Sequence, residues 1–311
     1  MQALTRRGAL GAGLGFLSIR AQAARQAPLA EALGTLERSA GGRLGVAVLD
    51  TRSGQLLGHR LDERFAMCST FKLPLAALLL HEVDRGRLRL RDWLRFGPED
   101  RVPHRPVTEA AIAQGGLPLD TLIAAVQQQS DNLAANVLLR EIGGPEGFSA
   151  RLRELGDEVT RLDRLEPMLN DVPRGDERDT STPAAMARTL ARLLCSDWLS
   201  PRSHALLCDW MEETETGWNR VRAGFPQAWR AGDKTGTALP TEGPAKINDI
   251  AIAWPGRRAV QAAARDGLIV CCYYESAQPL RSVGAAQAAV LARAGRLAAQ
   301  WWQSQQARGR G

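Results

Sequence analysis

The chain has 311 residues, 44% of them hydrophobic, enough apolar content for one large core or two modest ones and too much for a disordered chain. Its net charge of +6 includes no basic run interleaved with aromatics, which argues against nucleic-acid binding. Five cysteines and four histidines (His59, His81, His104, His204) lack paired ligand spacing, so no metal site is expected.

In chain order, the first 23 residues read as a cleavable export signal: Arg6 and Arg7, an apolar run over 8–19, then Ala21, Gln22 and Ala23. The run is too short to span a membrane stably, so no stable membrane anchor is expected. TRRGAL hints at the twin-arginine route, and the expected location is periplasmic. A helix is expected over Glu31–Ser39, and 45–50 with 55–60 have the signature of a hairpin. From Ser69 to about Met211 the periodicity is helical almost throughout, with Gly143 and Gly144 as a helix stop. RLDRLEPMLNDVPRGDERDTST, residues 161–182, has no period and reads as a long loop, a kind that tends to be functional. Strand patterns return in AGDKTGT, INDIAIAWP and GLIVCCYYE, followed by an amphipathic helix from Ser282 to about Trp302. This order predicts a discontinuous sheet domain, 24–60 with 212–311, interrupted by a helical domain over 61–211.

The basic residues are uneven in kind. Only Lys72, Lys234 and Lys246 are lysines, and the other 37 are arginines. Arginine stays protonated in proteins, whereas a buried lysine can be pushed to release its proton, so lysine is needed where a proton must move. Lys72 lies three residues after Ser69 in MCSTFKLPLAALLL, a spacing that puts both side chains on one helix face. A neutral lysine there could activate the serine, which is a weak nucleophile without an adjacent base. A serine at a helix start also places its own N–H and the positive end of the helix dipole where an oxyanion would form. Ser130, Asp131 and Asn132 open a second apolar helix, and Lys234, Thr235 and Gly236 lie on a strand, where a glycine commonly marks close approach.

The ordered set S-x-x-K at 69–72, SDN at 130–132 and KTG at 234–236 resembles the serine penicillin-recognising enzymes. LEPMLN at 165–170 and DERDTSTP at 176–183 look like the omega loop of the class A beta-lactamases, and the resemblance spans the chain from about Ala24. It implies a two-domain α/β fold: an antiparallel sheet flanked by N- and C-terminal helices, plus an all-helical domain with an omega loop at 161–179. It also implies a monomeric beta-lactam hydrolase acting on small-molecule substrates without a cofactor. By resemblance, Ser69 forms the acyl-enzyme, the N–H groups of Ser69 and Thr237 hold the oxyanion, and Ser130 passes a proton to the leaving nitrogen. Lys72, or Glu166 acting through water, takes the serine proton, and the sequence leaves both open. Lys234, Thr235 and Arg220 take the substrate carboxylate, Gly236 lines the strand, Asn132 takes the side-chain amide, and Glu166 with Asn170 holds the hydrolytic water. Arg164 and Asp179 tie the loop ends. A DD-peptidase or a beta-lactam sensor would share the core motifs without needing Glu166 in this loop.

Several positions depart from the pattern. Ala238 stands where the carbapenem-hydrolysing members have the cysteine that pairs with the one at Cys68, so that disulfide cannot form, although Arg220 and Thr237 resemble that group. His104 falls near an aromatic of the site entrance, the turn 238–246 looks longer than usual, and Pro74 follows closely on the helix start. Replacing Lys72 by arginine removes both the compact ammonium and the exchangeable proton. Lys72→Arg is therefore expected to lose acylation, read as absence of a covalent adduct by intact mass after a penicillin pulse.

Overall fold

The structure, a computed structural model, describes residues 28–255 and 266–308. The export signal expected at 1–23 lies outside them. A first helix, α1 (28–40), leads into β1 (Arg43–Asp50) and β2 (Gln55–His59), the expected hairpin. A short β3 (Phe65–Ala66) precedes a 3₁₀ turn at Cys68–Phe71 and α2 (Lys72–Asp84). Next come β4 (Trp93–Arg95), the single turn α3 (Thr108–Ala111), β5 (Gly116–Pro118), α4 (Leu119–Gln128), α5 (Asn132–Glu141) and α6 (Gly144–Glu154). After the long loop, β6 (Thr180–Ser181) leads to α7 (Pro183–Cys195) and α8 (Pro201–Glu212). The chain closes with β7 (Arg230–Ala238), β8 (Lys246–Trp254), β9 (Leu268–Glu275) and α9 (Ala285–Arg308).

The main sheet is antiparallel, in the order β2-β1-β9-β8-β7. Alternation along β9 explains how it supports two cores, because successive side chains point to opposite faces. Ile269, Cys271 and Tyr273 face the core shared with helices α2 and α4 to α8. Leu268, Val270, Cys272 and Tyr274 face the core capped by α1 and α9. The inner strands β1, β9 and β8 are thus buried on both faces, which is why they read as largely apolar runs.

Helix α2 is buried on every side from Leu73 to Leu80, the signature of a helix at the centre of its layer. MCSTFKLPLAALLL is, however, not one helix. The α-helix begins at Lys72, and Ser69 lies in the 3₁₀ turn before it. Pro74 accounts for the boundary, since proline is tolerated only in a first turn, where the N–H groups have no helical acceptor. The segment 85–118 also departs from the expected helical run, forming loops, two 3₁₀ turns at Pro98–Asp100 and Ile112–Gln114 and the β4–β5 ribbon, with α3 as its single α-helical turn. The last helix starts at Ala285 and runs to Arg308, later at both ends than its apolar stripe suggested.

Two features bring the long loop to the serine. β3 pairs with β6, Phe65 opposite Ser181 and Ala66 opposite Thr180, so the end of the loop is fixed immediately before Cys68. The Met67 N–H then donates to the Asp179 carbonyl at 3.0 Å.

Gly45 of β1 lies where a Cβ would fall 2.4 Å from the Phe65 ring and 2.9 Å from Pro183. Phe65 is itself stacked on Tyr273, with ring centroids 5.8 Å apart, and cannot retreat. Gly45→Val is expected to cost about 1–3 kcal/mol by overpacking, read as a lower urea midpoint with an unchanged slope.

Candidate active site

The sequence motifs converge on one cleft where the edge strand β7 meets α2, α5 and the long loop. Gly236 shows how closely β7 approaches, since a Cβ there would lie 2.7 Å from the Met67 carbonyl oxygen and 3.2 Å from Cys68 Cβ. Glycine at this position lets Thr237 and the Ser69 turn lie side by side. Asn248 of β8 secures the same contact by donating to the carbonyls of Ala66 at 2.8 Å and Met67 at 3.2 Å. Cys68, the residue before Ser69, has φ 47°, a left-handed conformation rare outside glycine.

Lys72 is fully buried, and its Nζ donates to the Ser130 carbonyl at 2.8 Å, Ser130 Oγ at 3.3 Å and Asn132 Oδ1 at 2.5 Å. It also forms an ion pair with Glu166 Oε1 at 3.0 Å. Burial lowers its pKa, opposed by the Glu166 carboxylate. The Ser69 hydroxyl donates to Glu166 Oε1 at 3.4 Å. Glu166 Oε1 thus contacts both the serine hydroxyl and the Lys72 ammonium, and Lys72 reaches the serine through that carboxylate.

Ser130 has φ 60° and is nearly buried, its hydroxyl placed between the two lysines. Asp131 fixes this corner. Its carboxylate caps α5 through the Ala134 N–H at 2.9 Å and accepts the N–H groups of Val107 at 3.0 Å and Thr108 at 2.9 Å. Lys234 reaches Ser130 Oγ from the sheet at 3.0 Å and donates to the Thr235 carbonyl at 2.9 Å. Complete burial, reinforced by the nearby Lys72 charge, lowers its pKa to about 7.

Behind Lys234 lie two buried carboxyls, Asp233 and Asp249. Burial and the Asp249 charge push the Asp233 carboxyl well above the usual carboxylate range, and burial raises Asp249 against the opposing charge of Arg220, while Arg222 is ion-paired with Asp233. Arg220 is also largely buried, bonding Thr237 Oγ1 at 2.8 Å and the carbonyls of Gly236 at 3.2 Å and Asn248 at 2.8 Å. Thr235 Oγ1 lies 2.8 Å from Thr216 Oγ1.

The loop carries Glu166, 1% exposed, and Asn170, whose Nδ2 donates to Glu166 Oε2 at 2.6 Å. Buried Asp179 ties the loop base, accepting from the Asp163 N–H at 2.7 Å, the Arg164 N–H at 3.0 Å and Arg164 Nε at 2.6 Å.

A model described as the beta-lactamase enzyme family matches residues 28–302. Beta-lactamase L2 of Stenotrophomonas maltophilia is 45% identical over 220 residues, 71% of this chain and 71% of that protein. Beta-lactamase CTX-M-8 of Citrobacter amalonaticus is 40% identical over 263 residues, 83% of this chain and 86% of that one. A solved ancestral class A beta-lactamase superposes with a TM-score of 0.79 at 48% identity, covering 88% of this chain and 99% of its own. This chain belongs to the class A beta-lactamases. A beta-lactamase structure from Burkholderia vietnamiensis, at TM-score 0.80 and 42% identity, covers 88% of this chain and 96% of its own.

The structure brings together Ser69, Lys72, Ser130, Asn132, Glu166, Asn170, Arg220, Lys234, Thr235, Gly236 and Thr237 around this cleft, with Arg164 and Asp179 at the loop base. Cys68 and Ala238 lie in one small apolar cluster, in place of the disulfide of other members. His104 has φ 56° and its ring is hydrogen-bonded to the Gln129 carbonyl at 3.0 Å. Its own carbonyl accepts the Asn132 N–H at 2.9 Å, so it supports the Asn132 corner from the backbone.

Sequence reasoning missed Asn136. Its Oδ1 accepts the Glu166 N–H at 2.9 Å and its Nδ2 donates to the Glu166 carbonyl at 2.9 Å, clamping the peptide that carries the carboxylate. The available signal was an asparagine one turn after Asn132 on an otherwise apolar helix. Asp249 and Arg222 left no comparable trace.

The Lys234 ammonium is charged below about pH 7 and loses its proton above it, so attraction for an anionic substrate weakens as pH rises. The expected result is a fall in kcat/KM on the alkaline side, displaced to higher pH in Lys234→Arg, whose guanidinium stays protonated. A pH profile of both proteins with one penicillin checks this.

Proposed function

We propose that this enzyme hydrolyses the beta-lactam amide of penicillins and cephalosporins through an acyl-enzyme on Ser69, conferring resistance to those compounds. The observation that carries the reading is Glu166, a buried carboxylate within hydrogen-bond reach of the Ser69 hydroxyl and held on its other oxygen by Asn170. A DD-peptidase or a sensor can form an acyl-enzyme without such a group. A carboxylate and an amide placed together over the nucleophile are suited to holding the water that removes the acyl group.

In acylation, Ser69 Oγ attacks the ring carbonyl while its proton leaves toward Glu166, directly or through water, or to Lys72 in its neutral form. The contact from the Ser69 hydroxyl to Glu166 favours the first route. The oxyanion is held by the N–H groups of Ser69 and Thr237, and one such donor is worth roughly 3–4 kcal/mol in comparable sites. As the C–N bond breaks, Ser130 gives its proton to the nitrogen and is reprotonated through Lys72, 3.3 Å away. The proton held by Glu166 restores Lys72, 3.0 Å away; water then adds to the ester and passes its proton to Glu166, and as the acyl C–O bond breaks Glu166 returns that proton to Ser69 Oγ. Lys234, Thr235 and Arg220 hold the substrate carboxylate, and Asn132 its side-chain amide.

The same reading places the chain outside the cytoplasm as a monomer, with residues 1–23 as the export signal and Arg6–Arg7 serving the twin-arginine route. Export is in keeping with the described residues, where no helix is long and apolar enough to cross a membrane.

Glu166→Ala is expected to keep acylation through Lys72 and lose deacylation. A penicillin pulse should leave one covalent adduct per chain by intact mass, while the unsubstituted enzyme returns to its free mass. Rapid turnover by the variant would remove Glu166 from the mechanism.

A further inference from the structure

Lys246 is the third lysine of the chain, and the mechanism above gives it no task. It opens β8 opposite Ala238 of β7 and Glu275 of β9, directly after the long turn, and is 6% exposed. Glu275 is already engaged by Arg43 at 2.8 and 2.9 Å, and among the described residues no carboxylate lies within ion-pair distance of Lys246. Its Nζ donates instead to the backbone carbonyl of Asn170 at 3.1 Å. The charge is also felt at Cys68, where it opposes the effect of burial on the thiol. The side chain lines the edge of a cleft, and among the described residues this loop carbonyl is the hydrogen-bond partner on which its ammonium ends.

The turn 166–170 has three kinds of tether. Asn136 of α5 clamps the Glu166 peptide, and the Asp179 cluster fixes the chain before it. Both act at the start of the turn. At its end, among the described residues, Lys246 supplies the side-chain hydrogen bond from the main sheet. Beyond Asn170 the loop borders a cleft of about 680 Å³, lined by Asp171, Val172, Pro240, Glu242 and Lys246 among others, and Val172, packed with Ala66 and Cys68, is the apolar contact of this stretch.

We propose that Lys246 is a positioning residue for deacylation: by holding the Asn170 carbonyl it keeps Asn170 Nδ2 against Glu166 Oε2, and so keeps the hydrolytic water aimed at the ester. Acylation depends on this alignment less than deacylation does, because the Ser69 proton can also leave to Lys72, and Lys72, Ser130 and Lys234 are all carried outside the loop. The inference rests on the hydrolase reading and assigns a further residue to its second half.

The test measures acylation and deacylation rates separately for the full mature enzyme, Lys246→Met and Lys246→Arg with one penicillin, each normalised to active sites by burst titration. Normalisation removes any effect of a smaller folded fraction. Lys246→Met, which keeps the length and loses the donors, should deacylate about tenfold or more slowly, with kcat and KM falling together and kcat/KM changing by less than about threefold. Lys246→Arg, which retains N–H donors, should recover part of the loss. Unchanged deacylation in Lys246→Met would overturn the proposal, as would acylation and deacylation falling in parallel or acylation falling alone. If Lys246→Met does not accumulate as folded protein, Lys246→Gln is read in the same way. Absence of turnover in the unsubstituted enzyme would overturn the hydrolase reading itself, a result distinct from any of these.

Discussion

Two buried ammonium groups, carried by different layers of the molecule, converge on the hydroxyl of Ser130. Lys72 comes from the first turn of α2 and Lys234 from β7, at 3.3 and 3.0 Å. Neither charge is tolerable in the interior unless its partners are held in place, because an unpaired buried charge costs several kcal/mol. The approach of sheet to helices must therefore be held to hydrogen-bond accuracy. Gly236 permits that approach, Asn248 pins it, and the two apolar cores on either side of the sheet hold it rigid.

The loop with Glu166 answers the same electrostatic need. Its carboxylate is the counter-charge that Lys72 requires, and it is delivered by a segment with few apolar contacts of its own. Buried Leu162, Leu169 and Val172 are its apolar anchors, and the other restraints are polar: the Asp179 cluster, the Asn136 clamp and the β3–β6 pairing. Electrostatic demand at Lys72 and polar restraint of the loop are thus two halves of one arrangement, which explains why so much hydrogen bonding surrounds a single acidic side chain.

Much of this was legible in the sequence because the motifs are local. Ser69 and Lys72 are three residues apart, SDN and KTG are contiguous, and Glu166 and Asn170 are four apart, so each declares its geometry within one turn or strand. The hairpin, the three later strands and the apolar α2 were legible from periodicity for the same reason. What was not legible depends on contacts far apart in sequence. Asn136 meets Glu166 across 30 residues, and Lys246 meets Asn170 across 76. The break between the 3₁₀ turn and α2 was hidden because Phe71 and Leu73 are apolar on both sides of it, leaving Pro74 as the one mark. In 85–118 the short β4–β5 ribbon is held by its pairing, which no local pattern records.

Burial also decides the chemistry of the thiols. Cys68 and Cys208 have pKa values pushed up to about 12, and Cys271 and Cys272 are shifted upward within opposite cores. Only the thiolate attacks a disulfide or an oxidant, and a pKa near 12 leaves roughly one group in 10⁵ ionised at neutral pH. Cys68, adjacent to the nucleophile and packed with Ala238 in one apolar cluster, is therefore disfavoured as a thiolate. In the folded protein, burial thus works against thiol exchange at these four positions.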